Sequence, residues 1–507
     1  MRVSHAGVLA AAVLLGGGGL GLYAGFSPHA SVPPVDASAA NRGPATPAPE
    51  APLTTATITY RAPARPEQPK PAAFPVPPAP SQPLAYAPAE PLPGVIDAAA
   101  QPRRAIQIKS AAGPRGLVIL QIGDSHTAAD FFTGEVRRRL QSIYGVGGTG
   151  PVTAGRPHVG VLSASLKSTM SPGWTYQSLQ KSDDAREFWL SGFNAVATAP
   201  RETMTLTAPQ PVTFDSIEIE AVSRPGGGSI DISLDGAVES SFDLASEKVE
   251  PIVIRLRPQR GPTDRVSKIV ITTKGEGSVS ISSVAIYNSR SGVTLSSIGY
   301  PGATVGIVNK LDERLFADDL RRINPHIVVL AFGTNEASKP KFDARRYAGD
   351  YQRVVAKIKA ALPSAVVVLV GPPDGAELPP QCKDKAREAA VCLRAGEPKP
   401  KPSPASAANA DQPSAECVWK SLPHLESVRD VQRDIAQRQS LVYWNWASIM
   451  PSECGADRWA TLSPPLMAKD RVHFTIDGYK KSAAQFLTVL IPIIEKLRAS
   501  PDVVSNN

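Results

Sequence analysis

The stretch "LVILQIGDSHTAADFFTGEVRRRL", residues 117–140, places a serine directly between a buried strand and a helix. Apolar residues dominate 116–122 and predict a strand, while the apolar spacing over 128–144 predicts an amphipathic helix. Ser125 lies in the loop between them, within Gly-Asp-Ser-His. Such a serine ordinarily forms a turn or caps the helix, but it can also act as a nucleophile. The rest of the chain decides between these roles.

Four later stretches are almost continuously apolar, as strands are when both faces of their sheet are covered. They are residues 293–299, 325–333, 364–371 and 439–447. Predicted helices separate them along the chain, at about 304–321, 343–361 and 423–438. Buried strands that alternate with helices are typical of a doubly wound parallel sheet. The sequence therefore predicts an α/β fold with a five-stranded parallel sheet.

Residues 157–288 have a different pattern, in which short stretches alternate between apolar and polar residues. Examples are "FDSIEIEAV" and "SIDISLDG", and turn sequences such as "RPGGGS" separate them. This pattern predicts an antiparallel β-sandwich, inserted between the first and second strands of the parallel sheet. Its aromatic residues are either a platform for stacking sugars or part of the sandwich core. They include Trp174, Tyr176, Phe188 and Trp189.

The N-terminal region predicts export. Arg2 precedes an uncharged stretch of 19 residues at 8–26, which is near the lower limit for spanning a bilayer. We expect an uncleaved membrane anchor, with a cleaved signal peptide as the alternative. Residues 27–105 contain twenty of the fifty prolines and predict a disordered linker. The folded body is therefore expected in the periplasm, attached to the inner membrane or, if the segment is cleaved, soluble.

The predicted organisation has five parts. They are the anchor or signal peptide at 1–26, the linker at 27–105, the first part of the α/β domain at 106–156, the inserted sandwich at 157–288 and the second part of the α/β domain at 289–500. Within the last part, residues 374–416 are rich in proline and alanine and predict a long, partly disordered surface insertion.

Four cysteines in an exported protein predict two disulfides. Proximity along the chain favours Cys382 with Cys392 and Cys417 with Cys454, although three connectivities are open. None of the cysteines has the C-x2-C spacing of a zinc site, and we expect no metal and no cofactor. The net charge of +8 includes no block of Lys and Arg residues, so nucleic-acid binding is not supported.

Polar residues follow the predicted strands at the points where those strands end, and such loops meet at one edge of a parallel sheet. A hydrolytic serine needs a base, a carboxylate that orients the base, and donors for the oxyanion. His473 can be the base for Ser125, and Asp470 is close enough in sequence to reach its imidazole. The amides of Ser125 and Gly302 and the side chain of Asn335 can donate to the oxyanion.

The motifs "GDSH", "GTNE" and "DRVH", with a glycine after the second strand, resemble the sequence blocks of the SGNH (GDSL-type) hydrolases. The longer motifs "GDSHTAADFFTG", "GPPD" and "DRVHFTIDGY", around an inserted β domain, are similar to those of the peptidoglycan O-acetylesterases of Gram-negative bacteria. The resemblance covers 106–155 and 289–500. It implies a flavodoxin-like sheet and an insert that is like a carbohydrate-binding module.

The resemblance also implies roles for single residues. By it, Ser125 is the nucleophile and Asp470 and His473 complete the triad. Ser125, Gly302 and Asn335 would form the oxyanion hole. Pro301 departs from the family, in which we expect asparagine before the glycine.

The sequence therefore predicts a serine esterase of the cell envelope. It would remove O-acetyl groups from a polysaccharide, with peptidoglycan as the expected polymer, through an acetyl-enzyme. One alternative is a polysaccharide O-acetyltransferase that uses the same triad. Another is an inactive tethered protein that binds polysaccharide. We expect a monomer.

Other polar residues near these motifs have structural interpretations. Asp124 is predicted to hold its turn by accepting backbone N–H bonds, and His126 to pack or hydrogen-bond. Glu336 is predicted to support the site or start a helix. His326 and His424 are predicted to be structural.

Overall fold

The computed structural model describes residues 116–499, apart from 258–263, 276, 289–291, 381, 383–389, 394–416 and 452–453. The predicted anchor, the predicted linker and the predicted start of the body near Ile106 lie outside these residues. Within the described ranges, no helix is both long enough and apolar enough to cross a membrane.

The strands, in chain order, are β1 (Leu117–Gly123), β2 (Gly148–Thr153), β3 (Lys167–Met170), β4 (Thr175–Ser178), β5 (Phe193–Ala197), β6 (Thr203–Thr213), β7 (Ser216–Ser223), β8 (Ser229–Leu234), β9 (Ala237–Asp243), β10 (Glu250–Leu256), β11 (Arg265–Thr273), β12 (Val279–Tyr287), β13 (Val293–Gly299), β14 (Ile327–Ala331), β15 (Val366–Gly371), β16 (Ala376–Glu377), β17 (Ala390–Leu393), β18 (Val418–Ser421) and β19 (Val442–Asn445). The helices are α1 (Ser125–Ala128), α2 (Phe131–Tyr144), α3 (Gly306–Lys310), α4 (Glu313–Ile323), α5 (Thr334–Ala337), α6 (Ala344–Ala361), α7 (Leu425–Arg438), α8 (Gly455–Ala460) and α9 (Ile476–Arg498), with a 3-10 helix at Trp446–Ile449.

Five strands form a parallel sheet in the order β13-β1-β14-β15-β19. This is the doubly wound arrangement, in which the direction of winding reverses beside the first strand. Gly123 at the end of β1 is in register with Gly299 of β13 and with Ala331 of β14. The loops that follow these three strands therefore leave the same edge of the sheet side by side. The predicted five-stranded parallel sheet is confirmed.

Helices cover both faces of this sheet, which explains why its strands are apolar throughout. Val118 and Leu120 of β1 pack in a core with residues of α4, α6 and α7. Leu117 and Ile119, on the opposite face, pack with residues of α2 and α9.

The helix predicted over 128–144 forms as α2, which begins at Phe131, and a break separates it from the short helix α1. Between them Asp130 adopts the left-handed conformation, with φ of 53°. Its buried carboxylate accepts hydrogen bonds from Arg137 and from the amide of Ala164, which stabilises the break. The helix predicted over 304–321 is divided, because Asp312 starts α4 by accepting a hydrogen bond from Leu315 N.

Two antiparallel sheets make up the β domain. One has the order β10-β7-β12-β5-β4, with β2 paired to β12, and the other has the order β3-β6-β11-β8-β9. Ile219 and Ile281 of the first sheet share an apolar core with Met204 and Ile271 of the second, so the two sheets form a sandwich. Strand β2 lies before residue 157, the predicted start of the insert.

The four aromatic residues that were left open between a sugar platform and a core are mostly core residues. Trp174 packs in the sandwich core, while Phe188 packs in the core of the parallel sheet. Trp189 is buried and donates a hydrogen bond to Ala221 O. Tyr176 is half-buried, and its hydroxyl accepts a hydrogen bond from Arg156 N.

The favoured disulfide pairing was wrong. The bonds are Cys382–Cys417 and Cys392–Cys454. The chain folds back as a three-stranded sheet in the order β16-β18-β17, which brings together cysteines that are distant in sequence. All four cysteines lie in or against the core of the parallel sheet. Ala376, Leu378, Cys382 and Cys392 lie in that core, and most of the predicted surface insertion at 374–416 lies outside the described residues.

A buried charge cluster joins the sandwich to the parallel-sheet domain. Arg322 of α4 forms ion pairs with Glu218 and Glu220 of β7 and with Asp319 of its own helix. Arg255 also pairs with Glu218, at 2.6 Å. This cluster fixes the side of the sandwich that faces the helices.

Candidate active site

Ser125 is the first residue of α1, directly after the buried strand β1. Asp124 holds this sharp turn in two ways. Its amide donates to Ala331 O at 3.1 Å, and its carboxylate accepts from the amide of His126 at 3.0 Å. The predicted role of Asp124 is confirmed, and the turn presents the hydroxyl of Ser125 at the edge of the sheet.

The structure brings Ser125, His473 and Asp470 together. Ser125 Oγ lies 2.8 Å from His473 Nε2, and His473 Nδ1 lies 2.7 Å from Asp470 Oδ2. The backbone amides of Val472 and His473 donate to the other carboxylate oxygen of Asp470, at 3.0 and 2.9 Å. Asp470 therefore fixes both the loop and the imidazole, and residues 348 apart in sequence form one chain of hydrogen bonds.

Asp470 and His473 change each other's protonation. Burial alone would raise the pKa of Asp470, but its hydrogen bonds from His473 and the charge of that ring hold it below the usual value. Burial alone would lower the pKa of His473, yet the carboxylate of Asp470 raises it above the usual value. The imidazole is thus a stronger base than a free histidine.

The loop after β13 lies beside Ser125. Tyr300 N donates to Gly123 O at 2.9 Å, and Gly302 has a φ of 73°, a left-handed conformation that favours glycine. Among the described residues, the amides of Ser125 and Gly302 have no acceptor. Two amides at one edge of the sheet are therefore free to donate to a bound oxygen.

Asn335 lies in α5, after the neighbouring strand β14. Its side-chain Nδ2 donates to Ala303 O at 2.8 Å, which uses one of its two N–H groups. The second N–H remains available for a ligand oxygen. The structure therefore gathers all five residues that sequence reasoning selected at the ends of β1, β13 and β14 and in the loop before α9.

His126 belongs to an aromatic cluster behind the catalytic histidine candidate. It is buried, its Nδ1 lies 3.0 Å from Tyr479 Oη, and its ring centroid lies 5.3 Å from that of His473. Trp446 and Phe474 complete the cluster. Burial lowers the pKa of His126 to about 3, so it stays neutral and packs, as predicted. Sequence reasoning assigned no role to Tyr479 and Trp446, although Tyr479 is the last residue of the "DRVHFTIDGY" motif.

Glu336 supports the loop that carries Gly302. Its Oε1 accepts a hydrogen bond from Val305 N at 2.8 Å, and within the described residues its buried Oε2 has no partner. Burial raises the pKa of Glu336 to about 7 and that of Asp124 to about 6. Two buried carboxyl groups therefore lie beneath the site and titrate near neutrality.

The remaining selected histidines make structural contacts, as predicted. Val118 N donates to His326 Nδ1 at 3.1 Å, and the ring of His424 stacks on Phe342. In the part of the chain that the structure describes, no group of three or more His, Cys, Asp or Glu side chains could hold a metal ion.

Part of the chain is similar in sequence to a known family, and the fold is similar to that of a solved structure. Residues 281–481 match the GDSL-like lipase/acylhydrolase family. A solved structure described as a peptidoglycan O-acetylesterase in action is 24% identical, with a TM-score of 0.56, and the match covers 75% of this chain and 92% of that one. A family two carbohydrate esterase from Cellvibrio japonicus is 14% identical, with a TM-score of 0.24, over 66% of this chain and 99% of that one. No curated protein matches the sequence.

Proposed function

We propose that this chain, an esterase whose residues 281–481 form a GDSL-like lipase/acylhydrolase domain, removes O-acetyl groups from peptidoglycan. The observation that carries the proposal is the hydrogen-bonded chain Ser125 Oγ–His473 Nε2–Asp470, with contacts of 2.8 and 2.7 Å. It is the arrangement that a serine needs in order to attack an ester.

The first half of the reaction transfers the acetyl group to the enzyme. His473 Nε2 takes the proton of Ser125, whose Oγ attacks the acetyl carbonyl. The amides of Ser125 and Gly302 and the free N–H of Asn335 hold the oxyanion. When the tetrahedral intermediate collapses, the C–O bond to the sugar breaks and His473 returns the proton to the sugar oxygen. The products are a free sugar hydroxyl and acetyl-Ser125.

The second half regenerates the serine. His473 deprotonates a water molecule, which attacks the acetyl-enzyme through a second oxyanion. Acetate then leaves, and the proton on His473 returns to Ser125. Asp470 stabilises the imidazolium in both halves, since its carboxylate accepts from Nδ1.

The exposure of the site supports a polymeric, hydrophilic substrate. The side chains of His473 and Asp470 are 34% and 49% exposed, so the reacting groups lie in an open position. A long acyl chain would require an apolar channel, whereas an acetyl group on a glycan requires only access from the side. The likeness in fold to a peptidoglycan O-acetylesterase favours peptidoglycan among acetylated glycans.

The test is release of acetate. The full-length protein is incubated with O-acetylated peptidoglycan and with acetylated xylan, and Ser125→Ala is the control. We expect the wild type to release acetate from O-acetylated peptidoglycan and Ser125→Ala to release none. If both proteins release the same amount from both polymers, the proposal fails. Labelled acetyl that appears on an added glycan instead of as acetate would indicate a transferase.

We also propose that the protein acts in the periplasm, attached to the inner membrane through residues 8–26. Its four cysteines form two disulfides, which persist in oxidising compartments. Fractionation of cells, followed by mass spectrometry of the N-terminus, tests this. A mature chain that lacks residues 8–26 would contradict the anchor.

A further inference from the structure

A cavity of about 520 Å³, with both polar and apolar side chains in its lining, lies in the β domain next to the candidate site. This volume is within the range of cavities that bind small ligands, about 300–1,000 Å³. Its lining includes the aromatic rings of Tyr176, Phe188 and Phe193 and the amides of Gln177 and Gln180. Lys181 and Pro301 also line it, whereas Ser125, His473 and Asp470 do not.

Two contacts place this cavity beside the reacting groups. Gln180 Nε2 donates to the carbonyl oxygen of Pro301 at 3.1 Å, and Pro301 directly precedes Gly302. Phe193, which also lines the cavity, packs in a small apolar cluster with Ala128. Ala128 is the last residue of α1 and is three residues from Ser125, or about 5 Å along the helix. A polymer with its ester at Ser125 therefore has the cavity next to it.

Both acidic side chains that line the cavity are held in ion pairs, one of them by Arg186, which lies outside the lining. Asp184 pairs with Arg186 at 2.6 Å, and Glu187 pairs with Arg224 at 2.7 Å. Lys181 is exposed and has no ion pair among the described residues. The cavity therefore combines amides that suit hydroxyl groups with an ammonium that suits a carboxylate.

We infer that this cavity binds a neighbouring sugar of the glycan that carries the acetyl ester, with a carboxylate of that sugar or of its substituent beside Lys181. The inference rests on the proposed function and makes it narrower, because it requires a glycan of several sugars that carries acid groups. A small acetyl ester reaches Ser125 but leaves the cavity empty.

Filling the cavity tests this inference. Gln177 is exposed on the edge strand β4, so Gln177→Trp occupies the cavity without replacing a buried group. Thr175 is exposed on the same face of β4 and does not line the cavity, so Thr175→Trp is the matched control.

We expect Gln177→Trp to lower kcat/KM for O-acetylated peptidoglycan about tenfold. Its kcat/KM for p-nitrophenyl acetate should stay within about twofold of the wild-type value. Thr175→Trp should stay within about twofold of the wild type for both substrates. Equal activity of the two variants on peptidoglycan would overturn the inference. Equal thermal melting of the two variants excludes misfolding as the cause.

Reversing the charge tests the ligand's acid group. Lys181→Glu should raise KM for O-acetylated peptidoglycan about fivefold, an effect that shrinks at high salt. It should not change KM for acetylated xylan in which acid groups are absent. Lys248→Glu is the control, since Lys248 is exposed in the same domain and does not line the cavity. If Lys181→Glu and Lys248→Glu have the same KM for O-acetylated peptidoglycan, no carboxylate of the ligand lies beside Lys181.

A binding experiment separates this inference from the proposed function. If the wild type releases no acetate from any glycan, the proposed function fails. Peptidoglycan fragments without acetyl groups are then titrated into Ser125→Ala and into Ser125→Ala with Gln177→Trp. Binding that is weaker in the double variant supports the cavity, and equal affinities or no binding at all overturn it.

Discussion

The protonation of one residue, His473, sets the acid limit of the proposed reaction. The ring can take the proton of Ser125 only while it is neutral, and Asp470 raises its pKa. Activity should therefore fall as the pH drops through the raised pKa of His473.

Replacing Asp470 with asparagine should affect both rate and pH dependence. The variant loses the stabilisation of the imidazolium, so kcat should fall by about 10³-fold or more. Because the carboxylate no longer raises the pKa of His473, the acid limb of kcat/KM should move to lower pH. The pH profile with a small acetyl ester measures both. Asp477→Asn, which changes an exposed carboxylate in α9, should behave as the wild type. An acid limb that stays in place would contradict the electrostatic role of Asp470.

Glu336 is the second residue for which the structure makes a specific prediction. Its Oε1 holds Val305 N, three residues after Gly302. Glu336→Gln keeps an acceptor and should leave kcat within about threefold, whereas Glu336→Ala leaves a buried amide unpaired and should lower kcat about tenfold. Steady-state kinetics with a small ester, together with melting curves, check this. Equal kcat in the two variants would show that the hydrogen bond does not position the loop.

The residues of the candidate site were largely predictable, since the ends of parallel strands converge whatever the loops contain. Ser125, Gly302 and Asn335 could be selected because each follows an apolar stretch. Tyr479 could not, because its contact with His126 depends on how α9 rotates against α1. A tyrosine inside a helix has no sequence signal that separates packing from support of a site.

At the scale of elements, buried charge decides where a helix begins. Apolar spacing predicts a helix over 128–144, and the helix forms but begins only at Phe131, because Asp130 adopts the left-handed conformation. Periodicity does not detect such a break, because it depends on Arg137, which pairs with Asp130 at 2.8 Å and donates to Leu295 O at 2.7 Å. The disulfide pairing failed for a similar reason, since it depends on how β17 and β18 pair.

Replacing Arg137 with methionine should therefore destabilise this element strongly. The side chains of Arg137 and Asp130 are 6% and 2% exposed, so the change leaves a buried carboxylate without its cation, which costs about 3 kcal/mol. Arg138 on the same helix is 65% exposed and pairs with Glu135, so Arg138→Met should cost less than about 1 kcal/mol. Urea unfolding measures both. If Arg137→Met and Arg138→Met lower the free energy of unfolding by similar amounts, the ion pair between Arg137 and Asp130 does not stabilise the break.

At the scale of the whole molecule, the cluster around Arg322 joins the two domains and brings several buried carboxylates together. Three carboxylates, Glu218, Glu220 and Asp319, face Arg322, and Arg255 is a second cation at its edge. Asp319 also accepts from Leu190 N at 3.1 Å, in the segment that leads into β5. Carboxylates that lie close together in a buried place favour retention of a proton.

The carboxyl group of Glu220 keeps its proton to higher pH than an ordinary glutamate. Burial and then the charge of Asp319 raise its pKa well above the ordinary value of 4.5. The unfolded chain releases this proton near that ordinary value, whereas the folded protein keeps it to higher pH. Between the two pKa values the folded state binds more protons than the unfolded state, so stability should fall as the pH rises from about 5 towards 8.

Glu220→Gln should remove this dependence. The amide keeps the shape and an acceptor for Ser283 Oγ, which donates to Glu220 at 2.7 Å, but it does not titrate. The free energy of unfolding of the wild type should drop by at least about 1 kcal/mol between pH 5 and 8 relative to the variant. Glu247→Gln, an exposed change in the same domain, should keep the wild-type slope. Urea unfolding at a series of pH values gives the slope of the unfolding free energy against pH for the wild type, Glu220→Gln and Glu247→Gln. Parallel slopes for the wild type and Glu220→Gln would mean that Glu220 is ionised in the folded protein, and that Arg322 and Arg255 together compensate all three carboxylates between the domains.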